Sequence, residues 1–209
     1  LFRSMDAFNS STLERIHAAA KTEFLEKGYS AASLRNIVKN AGVTTGAFYG
    51  YYDSKEALFA ALVDEHYQYL LSRYKYSLAG FEQLPPEKQP ERRGSVGKEC
   101  MQEMLVYMNE HKDEFHLILL CSDGTPYASL IDDLVALEVA STEHYCEVLR
   151  GLGRTVPPID KRLEHILATG MMNAYFEIII HDMSQTDAER YLCELSDFYT
   201  AGWLKIMGQ

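Results

Sequence analysis

Residues able to do chemistry are scattered along these 209 residues, and their spacing excludes most reactions. Cys100, Cys121, Cys146 and Cys193 stand too far apart for the paired donors of a CxxC zinc site, and each lies in an apolar, helix-like context. They read as buried free thiols. His111, His116, His165 and His181, with nearby acids, are the candidates for catalysis or metal binding. No HExxH pair, nucleophile elbow or phosphate-cradling glycine loop accompanies them. The expectation is no catalytic residue, no metal and no cofactor. The run Thr44-Thr45-Gly46-Ala47-Phe48-Tyr49 offers different chemistry. Threonine carries a hydroxyl for a phosphate or base edge and a methyl for thymine, and glycine lets a backbone come close.

Such groups act only if helices hold them. Thr12 to Glu26 predicts the first, with Ser11 or Thr12 as cap, a stripe of Leu13, Ile16, Ala20 and Phe24, and Gly28 as the stop. A short second helix begins at Ser33. Its Leu34, Ile37, Val38 and Ala41 fall on one face, leaving Arg35, Asn36 and Lys39 outward. Ala41-Gly42-Val43-Thr44 then supplies a glycine turn followed at once by a capping residue, the spacing of a helix-turn-helix. The restarted helix, Thr45 to about Tyr51, is too short to stand alone, and Phe48 with Tyr52 anchors it inward. Asp53-Ser54-Lys55-Glu56 reads as a capping box, with Asp53 as cap, for a long helix reaching about Ser77.

Beyond it, the three prolines and two glycines of Glu82 to Lys98 predict a loop. Further helices are expected near Ser95–Asn109, His111–Cys121, Tyr127–Leu152, Asp160–His181 and Thr186–Met207, about nine in all. The fold class is all-α. No apolar stretch approaches the roughly 20 residues of a membrane span, and Leu1 to Asp6 lacks the pattern of a signal peptide, so a cytoplasmic location and no membrane partner are expected.

A formal charge of −10 opposes nucleic-acid binding, but its distribution does not. Through Val63 there are seven basic and six acidic residues; the remainder holds 13 basic and 24 acidic. The early part is near neutral, with scope for a local basic face.

The ordered string Gly28-Tyr29-Ser30, Ser33 to Val43, Thr45 to Tyr52 and Ser54 to Leu58 resembles the TetR-type bacterial regulators, over about Leu13 to Val63. The resemblance implies a DNA-binding domain at 9–63, its helix-turn-helix at about 33–52, and a helical ligand-binding and dimerisation domain at 64–209. It implies that the recognition helix enters the major groove with Thr44, Thr45, Gly46, Gly50 and Tyr51 toward DNA. Thr44 reads equally as a simple cap. Tyr49 can flank the core while its hydroxyl reaches a phosphate, and Lys55 combines an ammonium with a helix N-terminus at another. Ser33 and Arg35 are further candidates for the backbone and a flanking base. Position 50 lacks the larger residue of many members, which puts one specificity contact in doubt.

The same resemblance implies a homodimer on a palindromic double-stranded operator, released by a small-molecule effector of unknown identity. The dimer stripes are Leu163, Ile166, Gly170, Ala174 and Ile178 on one helix and Leu192, Leu195, Tyr199, Trp203 and Ile206 on the next. Candidate lining for the effector comprises Met101, Met104, Tyr107, Met108, Phe115, Leu119, Tyr127 and Leu134, with Glu138 as a polar contact. His144 is a second polar interruption. A metal- or redox-sensing regulator of the same fold, and an interaction module without DNA binding, are the alternatives.

Overall fold

Ser11 opens the chain's first helix with a closed capping box, in a computed structural model that describes residues 11–209. The amide of Glu14 donates to Ser11 Oγ at 3.2 Å, and the Ser11 amide donates to Glu14 Oε2 at 2.7 Å. Residues 9 and 10 of the expected DNA-binding domain, and the Leu1 to Asp6 segment, lie outside the described residues. Among those described, nine α-helices are joined by turns and no strand is present: α1 Thr12–Ala31, α2 Leu34–Asn40, α3 Thr45–Tyr49, α4 Lys55–Glu82, α5 Gln89–Glu110, α6 Lys112–Cys121, α7 Leu130–Gly151, α8 Lys161–Ile180 and α9 Gln185–Ile206. None is long and apolar enough to cross a membrane.

The chain divides into two compact units, and the division falls inside α4. The first comprises the chain through Glu65 together with Asp113–Ala128. Its core is built on Ile16, Ala20 and Phe24 of α1, Ile37 of α2, Phe48 of α3, and Leu58 and Phe59 of α4, all without solvent exposure. The Phe24 and Phe59 rings meet edge to face at 5.0 Å. A body running unbroken from residue 64 does not anticipate that α6 groups with this unit. Lys21 pairs with Glu114, the Ser30 hydroxyl donates to the Asp123 carbonyl at 2.8 Å, and the Tyr127 hydroxyl donates to Asp64 at 3.1 Å.

Gly28 stops the first run of helix as expected: at φ +72° it leaves helical geometry, and beyond the kink a separate short turn runs on to Ala31. The cap of α4 is Ser54, not Asp53, since the Ala57 amide donates to Ser54 Oγ at 3.0 Å.

The second unit holds His66–Lys112 and Ser129–Gln209. In it α7 packs on α8, and α9 packs on both α5 and α8. The expected loop from Glu82 to Lys98 is far shorter, because α5 starts at Gln89. Pro90 sits in its first turn, where a missing N–H costs nothing, so proline there starts a helix. Gly94 then allows close approach to α9, since a Cβ at this position would lie 3.2 Å from Thr200 Cγ2.

Candidate nucleic-acid interface and ligand cavity

The helix-turn-helix is held from beneath by α1. Glu23, buried in α1, accepts through Oε1 from Lys27 Nζ at 2.8 Å, the Ser33 amide at 3.0 Å and Asn36 Nδ2 at 3.3 Å. These contacts, the Lys27 hydrogen bond foremost, hold its carboxyl below the usual glutamate value. Arg15 Nη1 donates to the Gly42 carbonyl at 3.4 Å, which fixes the turn between α2 and α3 where Gly42 takes φ +64°. His17 Nε2 and the Tyr52 hydroxyl share a hydrogen bond of 2.6 Å that fastens the end of the recognition segment. Burial, then the Lys21 charge, keeps this imidazole below the usual histidine value.

Thr44 is the N-cap of α3, its Oγ1 accepting from the Ala47 amide at 3.1 Å. Thr45, Gly46, Tyr49, Gly50 and Tyr51 are exposed, while Phe48 alone of this helix is buried. Tyr49 is 52% exposed yet meets Phe48 edge to face at 5.4 Å, so its ring leans on the core and its hydroxyl is open. Between α2 and α3 runs a groove to which Arg35, Asn36, Lys39, Thr45 and Tyr49 all contribute. Asn36 and Lys39 were not among the expected DNA contacts. Their outward places on the α2 stripe already marked them.

Ser33 and Lys55 are occupied otherwise than expected. Ser33 caps α2, accepting from the Asn36 amide at 3.4 Å, and its own N–H is spent on Glu23. The Lys55 ammonium donates to the carbonyls of Tyr29 at 2.6 Å, Ala32 at 3.1 Å and Ser30 at 3.4 Å. These carbonyls end α1, and three N–H groups meeting three acceptors leave none for a phosphate. The phosphate assignment of Lys55 is therefore replaced by an internal one.

A cavity opens within the second unit among α4, α5, α7, α8 and α9. Of the nine expected lining residues only Met101 and Glu138 face it. Met104, Met108 and Leu134 are core, and Tyr107 stacks on Tyr69 at 3.7 Å and bonds His66 at 2.9 Å. Phe115, Leu119 and Tyr127 belong to the other unit altogether. Glu138 is the polar hub: Arg93 Nη2 lies 3.0 Å from Oε1, and the Tyr74 hydroxyl donates to Oε2 at 2.6 Å. Arg93 also donates to Thr142 at 3.0 Å and Ser141 at 3.4 Å, and its guanidinium lies over Tyr145 at 5.2 Å and Phe81 at 5.4 Å. His144 is exposed.

The expected dimer stripes divide between solvent and core. Leu163 is 44% exposed and Ile166 63%, and Phe198 of α9, outside both expected stripes, is 72% exposed. Ile178 and Leu192 are instead buried within the chain, Gly170 packs under the Tyr199 hydroxyl, and Leu195, Tyr199 and Trp203 line the cavity. At about 100° per residue, Ile166 and Ile178 point roughly 120° apart, so one stripe cannot serve one surface.

Residues 16–62 match the sequence pattern of the bacterial regulatory proteins of the tetR family. The chain is 29% identical over 148 residues to YvdT, an HTH-type transcriptional regulator of Bacillus subtilis, covering 64% of this chain and 70% of YvdT. In fold it is similar to a tetR-family regulatory protein from Rhodococcus RHA1, with a TM-score of 0.60 at 18% identity over 95% of this chain and 98% of the other. It is also similar to FadR of Bacillus subtilis in complex with stearoyl-CoA, with a TM-score of 0.57 at 16% identity over 90% and 98%. With the helix-turn-helix in place and its polar face exposed, residues 16–62 are a tetR-type DNA-binding head, and the chain as a whole is similar to transcriptional regulators of that family.

Proposed function

We propose that this regulator is a repressor that binds a palindromic operator as a homodimer and is released by a small molecule held in its second unit. The observation that carries the DNA half is the groove between α2 and α3, where two cations and two hydroxyl-bearing side chains converge on a head that carries little net charge. Arg35 and Lys39 supply the phosphate or guanine contacts, and Thr45, Gly46, Gly50 and Tyr51 face the base edges, with Tyr49 and the Thr44 hydroxyl at the flanking phosphates. Ser33 and Lys55 support this surface from within. A DNA-binding role supports a cytoplasmic location.

The exposed Leu163, Ile166 and Phe198 support the dimer, because apolar side chains gathered on adjoining helices mark an interaction face. A two-fold dimer spaces its recognition helices by about 34–36 Å or somewhat more, which requires inverted half-sites. The cavity supports an effector, as does the acyl ligand of the similar FadR fold. Cys100, Cys121 and Cys146 give a redox sensor little support, since they are buried and burial pushes each thiol up, away from the reactive thiolate, whereas Cys193 is half-buried.

Selection from a random duplex library at low and high salt tests the reading. An enriched inverted repeat is expected. Salt-sensitive binding without an enriched sequence, or no binding, overturns it in favour of a module that has lost operator recognition.

A further inference from the structure

The cavity of the second unit carries two buried polar atoms with nothing to bond: the Tyr145 hydroxyl and the Trp203 indole Nε1. Tyr145 is 1% exposed and belongs to a buried cluster with Phe81 and Met207, against which the partly buried Trp203 packs. A buried donor left without a partner is costly, so each of these two atoms calls for an acceptor that the fold itself does not supply. The indole N–H can only donate, so the complementary atom on a ligand is an acceptor.

The charges narrow the choice. Arg93, Lys98 and Glu138 all line the cavity. Glu138 is already matched by the Arg93 charge on one oxygen and bonded by the Tyr74 hydroxyl on the other, so a cationic ligand would meet no unpaired anion there. Lys98 donates to Cys193 Sγ at 3.0 Å, and that contact foremost, with the charge of the exposed Asp197, holds its ammonium above the usual lysine value. The remaining lining is dominated by Leu78, Val96, Met101, Met171 and Leu204. Such walls favour an apolar body over a sugar or polyol, and a site with one cation in excess favours one negative charge.

We infer that the effector is an organic monocarboxylate with an aliphatic or aryl body, its oxygens accepting from Trp203 Nε1 and Tyr145 Oη. The inference rests on the ligand-released reading above and gives that ligand its chemical class.

Trp203 is the only tryptophan in the chain, so its fluorescence reports binding directly. The full-length protein is titrated with straight-chain acids from butyrate to dodecanoate and with phenylacetate to phenylbutyrate, each beside its matched primary amine and alcohol. Saturable spectral change is expected with acids of a preferred length and not with the amines. Tyr145→Phe is expected to weaken acid binding roughly ten-fold by calorimetry, as loss of a hydrogen bond to a charged group does. It leaves thermal stability unchanged or raised, because the hydroxyl removed has no partner in the fold. No acid binding in the series, amines binding as well as acids, or unchanged acid affinity in both Tyr145→Phe and Trp203→Phe overturns the inference. Operator binding is measured in parallel. Acid binding that leaves DNA affinity unchanged preserves the ligand class and overturns the ligand-released repressor instead.

Discussion

The Nζ of Lys55 lies 2.6 Å from the carbonyl oxygen of Tyr29 and 4.4 Å from the centroid of that tyrosine's ring. A cation at the head of α4 thus closes the last turn of α1, just after the bend at Gly28, and joins two helices that flank the recognition segment. Lys55→Met keeps the apolar stem and removes the ammonium. It is expected to destabilise the protein by about 1.5–3 kcal/mol, the worth of charged hydrogen bonds, in urea unfolding. The salt dependence of operator binding is expected to stay the same. A shallower salt slope would restore Lys55 to the phosphate backbone.

Arg35 and Lys39 are expected to behave oppositely. Both are exposed, and both border the α2–α3 groove. Alanine at either position leaves stability within about 0.5 kcal/mol. It lowers the slope of log K against log salt by about 0.9 if that side chain neutralises one phosphate. Unchanged slopes in both variants would remove this groove from the DNA interface.

The contrast between Lys55 and Arg35 also marks what the sequence makes legible. Ser11, Thr44 and Gly42 act through neighbours within three or four residues, so their spacing alone announces caps and a turn. Lys55 acts on carbonyls 23 to 26 residues away, and no local pattern encodes that. The same limit governs the cavity. Met101 and Met104 are one helical turn apart and chemically alike, yet one faces the cavity and the other packs on the Cys100 thiol at 3.7 Å. Composition marks both as adaptable lining; only the placing of α9 separates them. Pro90 misled for a related reason, since proline breaks a helix in its interior and begins one at its edge.

Glu23 gives the DNA-binding head a dependence on acid. Its folded carboxyl lies below the ordinary 4.5, so the unfolded chain takes up the proton first as pH falls. The stabilisation from Lys27, Ser33 and Asn36 is complete above pH 4.5 and is lost as pH drops through the lower folded value. Glu23→Gln is expected to be less stable than the parent at pH 7, with the gap closing below pH 4.5. A gap constant from pH 7 to 3 in chemical unfolding would show that the charge of Glu23 contributes nothing.

Arg93 and Glu138 form an enclosed ion pair in the second unit, with side chains 19% and 10% exposed. Removing either partner strands the other away from water, and Arg93→Met or Glu138→Leu alone is expected to cost about 3–5 kcal/mol. The double variant, which strands neither charge, is expected to cost much less than the sum. Additive losses would mean that the two side chains do not act as a pair.

Leu163 and Ile166 lie one turn apart on the exposed side of α8, while Ile178 of the same helix is buried within the chain. If that side is where two copies meet, glutamate at 163 and 166 together introduces four like charges into one two-fold interface. Desolvating them is far more costly than the contacts they replace, and the protein is expected to sediment as a monomer at micromolar concentration. The monomer should still fold, since neither residue belongs to the core, and a far-ultraviolet circular dichroism spectrum unchanged from the parent checks that. Its affinity for a single half-site is expected to persist while affinity for the full inverted repeat falls to that same level, because the gain from binding two linked heads is gone. A double variant that remains dimeric would move the interface away from this face of α8.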